Sequence, residues 1–162
     1  MAAPGEPAAA PAPQAPLTMH GTCVAVDGKG VLILGPSGAG KSTLALKLIL
    51  DAPRSLPLAE LVADDRVVLE LEDGVLTARP PPLLAGLIEV RGLGIRRLPH
   101  RPSVALACQV DLQPDAQTMR MPEKEALIGS IRGCVLQRIS AGTAEEASLL
   151  LAALLSSADY QN

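Results

Sequence analysis

One octapeptide constrains this chain more than any other stretch: Gly35-Pro36-Ser37-Gly38-Ala39-Gly40-Lys41-Ser42. It satisfies Gly-x4-Gly-Lys-Ser/Thr in full. The apolar run Val31-Leu32-Ile33-Leu34 precedes it, and a helix predicted from about Lys41 to Leu50 follows, ended by Pro53 and Pro57. Strand, glycine-rich loop and helix in that order form a cradle for a nucleoside triphosphate. Glycine lets the backbone curl so that successive N–H groups face phosphate oxygens, and the helix N-terminus adds its positive dipole end. Gly35–Ser42, with Thr43 behind them, are the expected nucleotide-binding residues. Lys41 would neutralise the β- and γ-phosphates, and the Ser42 hydroxyl would ligate Mg²⁺. The plainer reading is a glycine-rich turn that only caps a helix; the flanking strand and helix favour the cradle.

The remaining sequence predicts an α/β domain with a mixed sheet flanked by helices. Cys23–Val26 reads as a strand, Asp27-Gly28 as a tight turn, and Val31–Leu34 as its buried hairpin partner. Leu61-Val62-Ala63 is a short buried strand that ends in Asp64 and Asp65. Arg66–Glu72 and Val75–Arg79 form a second predicted hairpin around Asp73-Gly74. Leu87–Val90 is a brief apolar stretch, Val104–Leu112 another strand, and the region holding Pro114 and Pro122 is expected to be loop. A helix is predicted from about Ala144 to Ser156, with Thr143 as N-cap and Glu146 at capping-box spacing. Strands crowd the middle, so this is no regular alternation of strand and helix.

Composition narrows the partners. Of 162 residues, 48% are apolar but only 1% aromatic, so the core must be built from Leu, Val, Ile and Ala. A net charge of −3 disfavours nucleic acid as a partner. Three scattered cysteines, Cys23, Cys108 and Cys134, fit reduced thiols and hence a cytoplasmic setting better than disulfides or zinc. The longest strongly apolar run, Ala147–Leu155, is far short of the roughly 20 residues a membrane span needs. Residues 1–16, dominated by Ala and Pro, read as a disordered tail ahead of one domain over 17–162.

A P-loop needs a second acidic element to hold Mg²⁺ or activate a nucleophile. Asp64-Asp65 ends an apolar strand and is the first choice; the alternative is a solvated turn that happens to carry two acids. Glu89, inside the short run Ile88-Glu89-Val90-Arg91-Gly92-Leu93-Gly94, is the second. Glu70, Glu72, Glu145 and Glu146 read as ordinary solvated faces. Arg91, Arg96, Arg97, His100 and Arg101 form the basic cluster, suited to an acidic or phosphorylated surface or simply to a solvated loop.

Taken together these segments resemble the catalytic domain of the bacterial HPr kinase/phosphorylase family, in its short alphaproteobacterial form. The match runs from about Met19 to Leu98. It rests on His20-Gly21 before the hairpin, on the Gly-x-Ser-Gly-x-Gly-Lys-Ser loop and on Leu61–Asp65. The fourth and most telling part is Ile88-Glu89-Val90-Arg91-Gly92-Leu93-Gly94-Ile95. The resemblance implies a P-loop fold related to phosphoenolpyruvate carboxykinase, commonly assembled into hexamers, with ATP and Mg²⁺ as cofactors. It implies a protein serine as acceptor, on HPr or a nitrogen-branch paralogue. It also implies roles: Ser42 and Glu89 on Mg²⁺, one of Asp64 and Asp65 as base, His20 near the phosphates, and Arg91 stabilising charge on the moving phosphoryl.

The chain departs from the family pattern ahead of His20, where only the Ala/Pro segment stands. It departs again over Asp51–Glu60, which is longer than usual and lacks the common Arg-Gly-His. A Pro-Val-x-Pro-Gly-Arg-Asn segment near the C-terminus is also missing. The kinase direction is therefore better supported than phosphorolysis, and Arg120 or Arg138 would have to supply a late catalytic arginine. Two rivals are a small-molecule kinase on the same scaffold and a non-catalytic ATP sensor.

Overall fold

The computed structural model describes residues 14–158. The tail expected over 1–16 lies outside them except for residues 14–16, which are exposed and irregular. In chain order the strands are β1 Leu17–His20, β2 Thr22–Val26 and β3 Lys29–Leu34, followed by helix α1 Lys41–Leu50. Then come β4 Ala59–Ala63, β5 Arg66–Glu72, β6 Val75–Arg79, β7 Leu87–Val90, β8 Gly94–Arg97 and β9 Val104–Leu112. The chain ends with β10 Ile128–Ile131, β11 Cys134–Ala141 and helix α2 Ala144–Ser156.

Nine strands form one curled mixed sheet in the order β1-β5-β6-β9-β3-β2-β4, with β11 also on β9 and β10 on β11; β7 and β8 make a separate hairpin. The long strand β9 is where the sheet forks. Its first residues pair antiparallel with β6, Val104 opposite Ala78, while Cys108–Leu112 pair parallel with Gln137–Ala141 of β11. Its other edge runs parallel to β3.

The curl creates two cores. Val24, Val26, Val31, Ile33, Val110, Leu112 and Ile139 face α1 and α2 and pack on Leu44, Leu48, Ala147 and Leu151. The other face, with Cys23, Ala25 and Leu32, is closed by Val67 and Leu69 of β5 and Leu76 and Ala78 of β6. Both helices therefore contribute to the first core and the sheet's own fold-over covers the second, a refinement of the expected sheet flanked by helices. With almost no aromatic residues, branched aliphatic side chains supply most of the burial. Burial pushes the Cys108 thiol up to about 12, and Cys23 is raised by the same cause, so both are inert hydrophobes.

The predicted hairpins are present. Asp27-Gly28 and Asp73-Gly74 turn with φ of 52° and 73°, and of 49° and 78°, the left-handed pair that a two-residue turn between twisted strands requires. Both helices and the strands β5, β6 and β9 keep the expected limits. The region after Pro114 does not remain loop: β10 and β11 form a hairpin there, and β11 lies inside the sheet. Glu146 is not a solvated face either, since its carboxylate accepts the Gly142 N–H at 2.8 Å while Thr143 Oγ1 accepts the Glu146 N–H at 3.1 Å.

Candidate active site

Four strands point their C-terminal ends the same way. β2 is antiparallel to both β3 and β4, and β9 and β11 are parallel to β3. Ligands of open α/β sheets bind outside such ends, and the P-loop leaves β3 at this edge. Gly35 has φ 153°, and a Cβ there would lie 2.6 Å from the Leu112 carbonyl oxygen, so only glycine lets the loop rest on β9. Gly40 is left-handed (φ 97°) at the N-cap of α1, aiming the first-turn N–H groups into the cleft.

Lys41 is only 7% exposed. Its ammonium donates to the carbonyls of Gly35 at 3.0 Å and Pro36 at 2.9 Å. An ammonium has three protons, so the loop fixes the head group and leaves one donor for an anion.

Asp64 ties the cleft together and is 5% exposed. Its Oδ1 accepts from Thr22 Oγ1 and from Ser42 Oγ, both at 2.8 Å, and its Oδ2 accepts the Glu89 N–H at 3.0 Å. One carboxylate thus joins β2, the start of α1, the end of β4 and β7. Asp65 does the opposite. It sits in a left-handed conformation (φ 64°), which turns its side chain away from Asp64. Its carboxylate is 63% exposed, 3.4 Å from His20 Nε2 and 3.7 Å from Arg66 Nε. The Asp65 carbonyl accepts the Gly21 N–H at 3.2 Å, which holds the His20-Gly21 corner beside it.

A cleft of about 370 Å³ brings these groups together; its walls include His20, Ser37, Gly38, Gly40, Lys41, Ser42, Thr43, Asp64, Asp65, Glu89 and Arg91. Of the residues expected there, Gly35, Pro36 and Ala39 form the loop's outer frame and do not line it. Thr22 lines it and was missed. Its signal is faint in the sequence: a hydroxyl inside an otherwise apolar strand. Arg120 and Arg138 do not line the cleft. Arg120 faces a second cavity, and the Arg138 guanidinium donates to Asp111. Of the basic cluster only Arg91 reaches the cleft; Arg101 pairs with Glu60 at 3.0 Å.

The chain's residues 13–100 match the model of the HPr Serine kinase C-terminal domain. The chain belongs to that family. Over 81 residues it is 48% identical to the HPr kinase/phosphorylase of Clostridium novyi, covering 50% of this chain and 24% of that protein. It is 46% identical over 79 residues to that of Lacticaseibacillus casei, 48% of this chain and 23% of the other. The chain therefore spans about a quarter of the length of these relatives. The solved structure of the Hpr(Ser) kinase/phosphatase from Coxiella burnetii aligns with a TM-score of 0.68 at 24% identity, covering 86% of this chain and 88% of that one. That likeness is one of fold, and it covers more of the chain than the family match does.

Proposed function

We propose that this chain transfers the γ-phosphoryl group of ATP to a serine hydroxyl of HPr or a nitrogen-branch paralogue. The observation that carries the reading is the Asp64 hub: the P-loop serine, the acid after β4 and the backbone of Glu89 meet in one cleft with a fixed lysine. Phosphoryl transfer asks mainly for positioning and charge neutralisation, and that is what this cleft offers.

The two aspartates take separate roles. Asp64 is buried and accepts three hydrogen bonds, so an incoming hydroxyl has no access to it. Asp65 stands open beside His20 and is the base. The serine Oγ attacks the γ-phosphorus, an Oγ–P bond forms, the bond from that phosphorus to the β-phosphate oxygen breaks with ADP leaving, and the serine proton passes to Asp65. His20 orients the Asp65 carboxylate, and Arg91, on the cleft wall, would stabilise charge on the moving group. The Gly35–Ser42 loop and Thr43 carry the phosphates.

Among the described residues no three His, Cys, Asp or Glu cluster as a metal cage. Ser42 and Glu89 nevertheless fit Mg²⁺, which is commonly held by one or two protein groups, phosphates and water. Bound there it would draw charge from the phosphates. Among the described residues no helix is long and apolar enough to cross a membrane. Assembly into a hexamer belongs to the same reading and is checked by light scattering.

The test is transfer from γ-labelled ATP with Mg²⁺ to purified HPr, with Lys41→Ala and Asp65→Asn alongside. Label on a serine, lost in both variants, supports the kinase; adding inorganic phosphate then probes the reverse reaction. Tight ATP binding without label on HPr would favour a small-molecule kinase or a sensor.

A further inference from the structure

A second cavity, of about 330 Å³, lies at the same strand-end edge as the phosphate cleft but beyond β9, and no residue lines both. Its floor is apolar: Ile139 and Ala141 from the end of β11, Leu150 from α2, and Ala126 and Leu127 from the turn before β10. Its rim, from the segment after β9, carries the Gln113 and Gln117 amides, the Thr118 hydroxyl and the Arg120 guanidinium. The P-loop packs on residues that adjoin these walls in the chain. Gly35 rests on Leu112, one residue before Gln113, and a Cβ on Gly40 would lie 3.9 Å from the Ala144 Cβ at the start of α2.

The geometry points to this cavity as the nucleobase subsite of the nucleotide whose phosphates sit on the P-loop. The inference rests on the triphosphate reading of the cleft. A triphosphate held by Gly38–Thr43 has two directions in which its nucleoside can leave. Toward β2 and β4 it meets Asp64, Asp65 and Glu89, which are acidic and belong to the reacting end. Toward β9 and β11 it meets an apolar slot with a few polar groups at the mouth, the composition that small-molecule pockets use to bury a flat ring and fix its edges. A guanidinium at the rim suits the face of an aromatic heterocycle. A purine fits this site, its rings on Ile139 and Leu150 and its edge groups toward the glutamine amides.

The test compares the Mg²⁺ complexes of ATP and inorganic triphosphate on the 162-residue chain. Calorimetry should give ATP an affinity about tenfold or more above triphosphate, the surplus belonging to the nucleoside. Ala126→Trp, at an exposed wall position, should erase that surplus and leave triphosphate affinity unchanged. Because the natural chain has no Trp, Leu127→Trp supplies a single tryptophan, excited selectively at wavelengths the one Tyr does not absorb, that ATP should quench and triphosphate should not. Triphosphate binding with no ATP surplus, or a surplus untouched by Ala126→Trp with no quenching, overturns the subsite alone. Binding of neither ligand overturns the phosphate reading and the subsite with it.

Discussion

Asp64 and Asp111 are both buried acids at the strand-end edge, on opposite sides of β3: Asp111 near the end of its neighbour β9, and Asp64 just after β4, which lies beyond β2. Asp111 is level with Leu34, the last residue before the P-loop. Their partners differ in kind. Asp111 accepts from the Gln109 amide at 2.8 Å and from the Arg138 guanidinium, so its charge is balanced within the protein. Asp64 accepts only from two hydroxyls and one amide N–H. Among the described residues the ion pairs run through other carboxylates. A buried acid with its own cation holds the sheet together, whereas one with neutral donors keeps its charge for a ligand.

The sharpest break of that contrast is Asp64→Asn. The amide keeps the shape, and the loss of charge should lower phosphoryl transfer by roughly 10²–10³-fold. Thermal stability should change little, because no buried cation is left unpaired. Asp111→Asn should reverse the pattern. Losing the charged partner of Arg138 should cost about 2 kcal/mol in chemical denaturation, while transfer per folded molecule stays the same. Equal damage to both properties in both variants would mean that partner charge does not separate the two sites.

Thr22 sharpens the comparison. Its hydroxyl donates to the oxygen of Asp64 that Ser42 also uses. Thr22→Val keeps the volume and removes the donor, and should lower kcat about tenfold with KM for ATP nearly unchanged. Thr22→Ser should restore most of it. A loss in Thr22→Ser as deep as in Thr22→Val would assign the effect to packing.

The phosphate side was readable because its residues lie in short contiguous motifs whose backbone demands are local. Gly35–Ser42 needs only a strand and a helix next to it, and Asp64-Asp65 only a strand before it. The side beyond β9 was not readable. β11 pairs with β9 across some thirty intervening residues, and its sequence does not announce an interior strand. The turn before it is Arg132-Gly133, with φ of 52° and 80°, the geometry of the two Asp-Gly turns without their aspartate. Pro114 and Pro122 also suggested loop throughout, although each precedes β10. Asp111 and Arg138 meet only through that parallel pairing, so the ion pair that takes Arg138 out of the cleft was invisible too.

Glu146 is the case that could break the rule drawn from Asp64. It too accepts from neutral donors, the Thr118 side chain first and the Gly142 N–H second, and these hold its carboxyl below the usual glutamate range. Among the described residues no cation pairs with it, and it lines neither the phosphate cleft nor the second cavity. The difference is its place in the first turn of α2, where the positive end of the helix supplies the compensation. Because the folded-state value is depressed, its contribution is fully present above the unfolded value of about 4.3. It is lost as pH falls through the folded value. Glu146→Gln should therefore lower Tm at pH 7 by less than about 2 °C, and the gap from the natural protein should close on the acid side. Transfer to HPr should persist. If Glu146→Gln instead removed activity as Asp64→Asn does, with Tm unmoved, a helix N-terminus would not count as compensation, and neutral donors alone would mark a working acid.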